Sequence, residues 1–335
     1  MINNILITGV SGEIGQNLIS DLSKNKNLKL IGLDKKSPPK EIVDKLHRFY
    51  KTNLLEFEKI TKLIQLNKIR TVIHLGAILS TAAEKKPYLA HRVNVDATIN
   101  LLNFASIYAS NNNFKFKFIF PSSIAVYYLP SKNAKNKNPK IKEDDFLTPH
   151  TMYGINKLYC ENMGIYYSNY VHEKSLVSNL DFRSLRFPGI ISATTLPTGG
   201  TSDYAPEMTH TAAKGKTYNC FVHPNTTIPF MTMPDAINAL KMLASAPGRK
   251  LKSKIYNVSG FSASAKEFEK EVKRYFPDSS VNYTVDKKRQ QIVDSWPKDI
   301  NDQSAKKDWK WKPQHTFQKA FKDYLIPAVK ERYSL

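Results

Sequence analysis

The stretch Ile5–Gly15, ILITGVSGEIG, governs how the rest of the chain is read. It opens as an apolar, β-branched run of strand character and passes into residues with helical spacing, so its glycines stand at a strand-to-helix turn. The chain has 13 glycines in 335 residues, yet Gly9, Gly12 and Gly15 cluster here as T-G-x-x-G-x-x-G. Missing side chains at such a turn permit tight folding and let backbone N–H groups and the helix N-terminus approach a pyrophosphate. The helix is expected over Glu13–Lys24, with Ile14, Leu18 and Leu22 toward a sheet. A second strand ends at Asp34, where a carboxylate can accept both hydroxyls of an adenosine ribose and repel a 2′-phosphate. This favours NAD over NADP, a preference blunted by the neighbouring cations Lys35 and Lys36.

Working outward, short β-branched runs alternate with helical patterns through the first 190 residues, at Ile5–Thr8, Leu28–Leu33, Thr71–Leu75, Phe116–Pro121 and Phe182–Phe187. That alternation predicts an α/β fold, a Rossmann-like doubly wound parallel sheet, with residues 1–190 as an NAD-binding domain. After Phe187 the texture turns to Pro, Gly and Thr clusters (FPGIISATTLPTGGTSDYAPE), as expected of a smaller C-terminal substrate-binding lobe over 191–335. Some segments of that second half are expected to return to the first domain. Residues Ser131–Asp145 (SKNAKNKNPKIKEDD) have no apolar periodicity and read as a solvated excursion.

A second signal is Thr151–Lys157, TMYGINK, where Tyr153 and Lys157 are spaced i, i+4 and project from one helix face. An ammonium near a phenol stabilises the phenolate and lowers a pKa that is about 10 when unperturbed, so tyrosine can act as general base toward an alcohol. Alone, Y-x-x-x-K is common as surface packing. Here the strand FKFIF runs into PSSIAVY and delivers Ser122 and Ser123 at the carboxyl end of the sheet, where ligands of open α/β folds bind. A hydroxyl there can donate a hydrogen bond to a substrate oxygen.

Composition narrows the classes. With 41% hydrophobic and 24% charged residues the chain can bury a sizeable core, which excludes wholesale disorder. No apolar run approaches the roughly 20 residues of a membrane helix, and MINNILITGV enters a strand without a cationic leader. A cytoplasmic setting without a membrane partner is expected. Cys160 and Cys220 form no CxxC or Cys/His cluster, so neither a disulfide framework nor a metal site is expected. The net charge of +21 raises a nucleic-acid reading, but 41 Lys against 9 Arg, scattered through every segment, point to a lysine-rich composition with no nucleic-acid partner.

The glycine loop, HLGAILS (74–80), SSIAVY (122–127) and the Tyr/Lys pair together resemble an extended short-chain dehydrogenase/reductase, of the NAD-dependent epimerase/dehydratase group. Within it, DFRSLRFPGIIS (181–192), GGTSDYA (199–205), TIPFMTMPDAI (227–237) and RQQIVDSWPKDINDQSAKKDWKWK (289–312) resemble the short-chain type of L-threonine 3-dehydrogenase. The resemblance implies oxidation of the 3-hydroxyl of L-threonine by a catalytic set of Ser123, Tyr153 and Lys157. It implies NAD held by Gly9, Gly12, Glu13, Ile14 and Gly15 at the pyrophosphate, and by Asp34 with Lys35 at the ribose. Asn53 and Leu54 match the adenine edge, Leu75, Gly76 and Ala77 the segment beneath the cofactor, and Pro188 and Ile190 the nicotinamide side. Ser80, Thr201 and Trp296 match positions lining the amino-acid pocket. A homodimer through helices near Pro87–Ala109 and Tyr153–Tyr170 is implied as well.

Departures from that pattern are Ser123 in place of a common Thr, Asn156 in place of Ser, Asn53 in place of Asp, and longer segments at 131–145 and 171–179. The alternative substrate is a nucleotide sugar or sugar acid, against which 197–232 offers only Lys214 and Lys216 as cations. Arg183, Arg186 and Arg289 are candidates for the substrate carboxylate, with Arg183 and Arg186 equally compatible with plain strand positions. His74 and Cys160 are expected to be packed structural groups, and Trp309 and Trp311 to dock in a core. Asp203 and Tyr204 are compatible with either a pocket or a helix start.

Overall fold

The computed structural model describes residues 3–169, 178–196 and 200–334; most of the longer segment at 171–179 lies outside them. Its strands are β1 (Asn3–Thr8), β2 (Leu28–Asp34), β3 (Arg48–Lys51), β4 (Thr71–His74), β5 (Phe116–Ser123), β6 (Leu180–Phe187), β7 (Gly189–Ile191), β8 (Tyr218–Cys220), β9 (Thr227–Thr232), β10 (Ile255–Asn257), β11 (Phe261–Ser264) and β12 (Val281–Tyr283). Seven form one sheet in the order β10-β6-β5-β4-β1-β2-β3. The pairings β1 with β2, β1 with β4, β2 with β3 and β4 with β5 are all parallel.

This is the doubly wound α/β fold expected from the alternating pattern. Its strands read as continuous apolar runs because both faces are covered: Leu6 and Ile7, Val72 and Ile73, and Phe116, Phe118 and Phe120 are buried with Leu101, Leu102 and Phe182. Strand order reverses at β1, whose neighbours β2 and β4 are reached by crossovers in opposite directions. The carboxyl ends of such strands are where ligands of this fold bind.

Two sheet strands escaped the sequence reading. RFYK of β3 is a polar edge, and β10 is only three residues long. The first helix runs Glu13–Leu22, two residues shorter than expected, and its buried stripe is Gly15, Leu18 and Ile19, with Ile14 and Leu22 only partly covered.

By contacts the chain divides into unit 1, residues 1–123, 152–186 and 237–256, and unit 2, residues 124–151, 187–236 and 257–335. Unit 2 holds the sheets β11-β9-β7 and β12-β8 around a cluster of aromatic rings that includes Tyr204, Phe230, Phe268 and Phe317. Trp309 and Trp311 are buried there, 5.8 Å apart. The solvated reading of 131–145 is corrected: a short helix, Lys132–Lys137, buries Lys135, and Ile141 is fully buried in a bridge to Ile300. Among the described residues no helix is long and apolar enough to cross a membrane.

Candidate active site

The glycine turn is closed by its own backbone. Gly9 N donates to Leu33 O at 2.8 Å and Gly12 N donates to Gly9 O at 3.1 Å. Gly9 has φ +74°, a left-handed conformation that favours glycine, and a Cβ on it would lie 2.7 Å from Gly76 N. A Cβ on Gly15 would strike Gly9 O and Val10. Gly12 differs: it is exposed, and its bareness leaves open backbone at the start of helix Glu13–Leu22. The result is a cradle matched in polarity to a pyrophosphate.

Asp34, at the end of β2, faces that loop. Its Oδ2 accepts from Ser11 N at 3.0 Å and its Oδ1 from Lys36 N at 3.1 Å. Lys35 is exposed. Thr52 N donates to Asp34 O at 3.0 Å, bringing residues 52–54 alongside. Asn53 is exposed with its side chain on Leu55 N, and Leu54 reaches Gly76 closely enough that a Cβ there would collide with it. The glycine loop, Asp34, residues 52–54 and Leu75–Ala77 thus meet within unit 1, with a polarity that fits a dinucleotide.

Below this floor runs a directional hydrogen-bond chain. Thr98 Oγ1 donates to Asn94 O at 2.6 Å, so it accepts from His74 Nε2 at 3.1 Å. His74 Nδ1 is then the acceptor for Thr8 Oγ1 at 2.8 Å, and Thr8 Oγ1 accepts from Gly76 N at 3.1 Å. Burial, reinforced by repulsion from Lys157, lowers the His74 pKa to about 3 and keeps the ring neutral. His74 is a packed, bonded histidine.

Ser123 ends β5, partly exposed; the Ser122 hydroxyl is buried without a hydrogen-bond partner among the described residues. Tyr153 and Lys157 lie in the first turns of helix Met152–Asn169. Lys157 is buried, and its Nζ donates to Pro121 O at 2.7 Å, 4.4 Å from the Phe120 ring and 5.6 Å from the Tyr153 ring. That bond ties the Tyr/Lys helix to the strand end carrying Ser122 and Ser123. Burial lowers the Lys157 ammonium to about 8. The Tyr153 phenol is raised by burial, opposite to the sequence expectation, because in the protein alone the ammonium is engaged by a carbonyl and desolvation dominates.

Sequence reading missed Asn94. Its Oδ1 accepts from Ile78 N at 2.7 Å, and its Nδ2 donates to Ile78 O at 3.0 Å and to Asn156 Oδ1 at 3.3 Å. It therefore links the segment after His74 to the Tyr/Lys helix. Nothing local in RVNVD marks it; that segment adopts a π-helical turn of the kind often found near functional sites. Cys160 donates to Asn94 O at 3.2 Å, and burial pushes its thiol up to about 12, as suits a structural group.

The arginine candidates separate. Arg186 is buried in a bidentate pair with Glu161 at 2.9 and 2.6 Å. Arg183 is held by Asp181 and by the carbonyls of Leu243 and Ala246. Both serve the interior of unit 1 and are corrected to structural roles. Arg289, in unit 2, donates to Gly200 O at 2.5 Å and lies over the Phe221 ring. Asp203 closes a turn by accepting from Gly200 N at 2.6 Å, and Tyr204 is buried among aromatic rings. Ser80 begins helix Ser80–Lys85 in unit 1, whereas Pro188, Ile190, Thr201 and Trp296 belong to unit 2, all buried except the partly exposed Ile190.

Sheet order and glycine turn define a Rossmann-like protein of the α/β class. More particularly, the chain belongs to the NAD dependent epimerase/dehydratase family, whose model matches residues 5–259. It is 34% identical over 309 residues to the mitochondrial L-threonine 3-dehydrogenase of Bos taurus, covering 92% of this chain and 78% of that protein. Among solved structures, L-threonine dehydrogenase from Clostridium difficile superposes with a TM-score of 0.85 at 32% identity, covering 99% of both chains. A monomeric L-threonine 3-dehydrogenase from a metagenome superposes with a TM-score of 0.83 at 36% identity, covering 98% of this chain and 99% of that one.

Proposed function

We propose that the protein oxidises the 3-hydroxyl of L-threonine to 2-amino-3-oxobutanoate with NAD, in the cytoplasm. The observation that carries this reading is the bond from Lys157 Nζ to Pro121 O, which fastens the Tyr153 helix to the strand end bearing Ser123. Similarity to L-threonine dehydrogenases over nearly the whole chain supports the substrate. Gly9, Gly12, Glu13, Ile14 and Gly15 would hold the pyrophosphate and Asp34 the ribose; the carboxylate's two oxygens, oriented by Ser11 N and Lys36 N, favour free hydroxyls. Asn53, Leu54, Leu75, Gly76, Ala77, Pro188 and Ile190 complete the assignment.

When bound, the nicotinamide supplies the acceptor for the hydride leaving C3. Tyr153 takes the hydroxyl proton as general base, and Ser123 donates a hydrogen bond to the same oxygen. The Lys157 charge opposes the rise of the phenol. Ser80, Thr201 and Trp296 would recognise the amino acid, with residues 191–335 mainly the substrate-binding lobe and 1–190 the NAD-binding domain. A homodimer is supported by exposed Tyr88, Ile107, Ile155, Tyr159 and Tyr166 on helices of unit 1; sedimentation at micromolar concentration should give twice the chain mass, and a monomer would refute it.

The decisive assay follows NADH formation with L-threonine, UDP-glucose and sugar acids in parallel. Turnover of L-threonine is expected. Turnover of a sugar substrate without L-threonine would replace the reading with the nucleotide-sugar alternative.

A further inference from the structure

Segment 129–143 is unexplained by the glycine loop or the Tyr/Lys helix, and within unit 2 it lies along residues 293–301. Leu129 N donates to Ser295 O at 2.8 Å, Ile141 N to Asp299 O at 3.1 Å, and Asn301 N to Ile141 O at 2.7 Å. Asn257 secures its far end, donating from Nδ2 to Ile141 O at 3.2 Å and from N to Glu143 Oε1 at 3.1 Å. These bonds fall on both sides of Trp296. Between them lies Lys135, buried, whose Nζ donates to Val293 O at 3.2 Å. The same carbonyl accepts from Trp296 N, also at 3.2 Å.

One main-chain oxygen, at the C-terminal end of helix Lys287–Asp294, thus holds both residues. Carbonyls in a helix's last turn lack intrahelical donors, and that end of the helix dipole favours a cation. Taking an ammonium out of water is costly, and a methionine would fill similar space without that cost, so apolar packing alone does not account for lysine here. The charged groups acting on it are Asp294, which favours the ammonium, and Lys298 and Lys132, which oppose it.

We propose that 129–143 is a strap that sets Trp296, with Lys135 as its positioning residue for substrate recognition. The recognition part rests on the reading that Trp296 meets the substrate; the strap part does not. The test uses the full chain carrying Lys135→Met, with Lys137→Met, exposed on the same short helix, as control. Amide exchange over 296–301 should quicken about tenfold in Lys135→Met, the scale of losing a charged hydrogen bond, while exchange over 5–15 stays unchanged. KM for the alcohol that the wild type oxidises should rise by about the same factor, with kcat and KM for NAD unchanged. Lys137→Met should alter neither.

Unchanged exchange would overturn the strap. Faster exchange with an unaltered substrate KM would overturn the positioning role. A wild type that oxidises another alcohol would overturn the threonine reading alone, and the comparison would run with that alcohol. Should Lys135→Met not fold, Ser131→Ala, which removes the side-chain cap on Ala134 N, is read the same way.

Discussion

Lys157 in unit 1 and Lys135 in unit 2 look alike in isolation. Each is buried, each donates to a main-chain carbonyl, and burial lowers each ammonium to about 8. Their surroundings differ. Lys157 stands over the rings of Phe120 and Tyr153 at the carboxyl end of a parallel sheet, where a charge can act on a reacting hydroxyl. Lys135 faces a carbonyl that also holds Trp296, where it can act only through another residue. A buried lysine is therefore no signature of catalysis by itself; what lies within its reach decides.

The largest expected effect lies beside Lys157. Tyr153→Phe removes the proposed proton acceptor and should lower kcat by about 10²–10⁴, the range of general-base contributions, while NADH fluorescence titration still shows binding. Retained turnover would remove the distinction between the two lysines. The pH profile sharpens it. Lys157 is cationic below about 8, so kcat/KM should fall as pH rises through that value, and Lys157→Arg, whose guanidinium keeps its charge, should move that limb upward. An unmoved limb would assign it to another group.

A smaller effect concerns stability beneath the cofactor floor. Burial lowers the folded-state pKa of His74 from 6.5 to about 3, so the unfolded chain takes up the proton first as the solution is acidified. Its contribution is whole well above pH 6.5 and is lost progressively toward pH 3, on the order of 5 kcal/mol at most. Urea midpoints of His74→Asn should show a flatter dependence on pH over that window than those of the parent. The smallest effect is ionic: with a net charge of +21, raising salt should increase KM for NAD a few-fold by screening. An unaltered KM would mean that local contacts alone hold the anion.

What was legible in the sequence was local. Gly9, Gly12 and Gly15 could be read because the turn they permit is complete within seven residues, and Tyr153 with Lys157 because a helix brings i and i+4 together. Strand β3 was missed because an exposed edge has no apolar run to betray it. Arg183 and Arg186 were legible as strand cations but their partners were not, since Asp181 is local while Glu161, Leu243 and Ala246 come from elsewhere in the chain. Asn94 was silent for the same reason.

Sequence by itself therefore determined the fold class, the dinucleotide cradle and the family, because each depends on short-range patterns of glycine, apolar residues and helical spacing. Tertiary structure alone decided that Lys157 reaches Pro121, that the Tyr153 phenol rises rather than falls, and that a lysine-rich stretch is bonded along residues 293–301. Those outcomes depend on burial and on partners distant in the chain. Desolvation and hydrogen-bond direction do not exist until the chain has folded.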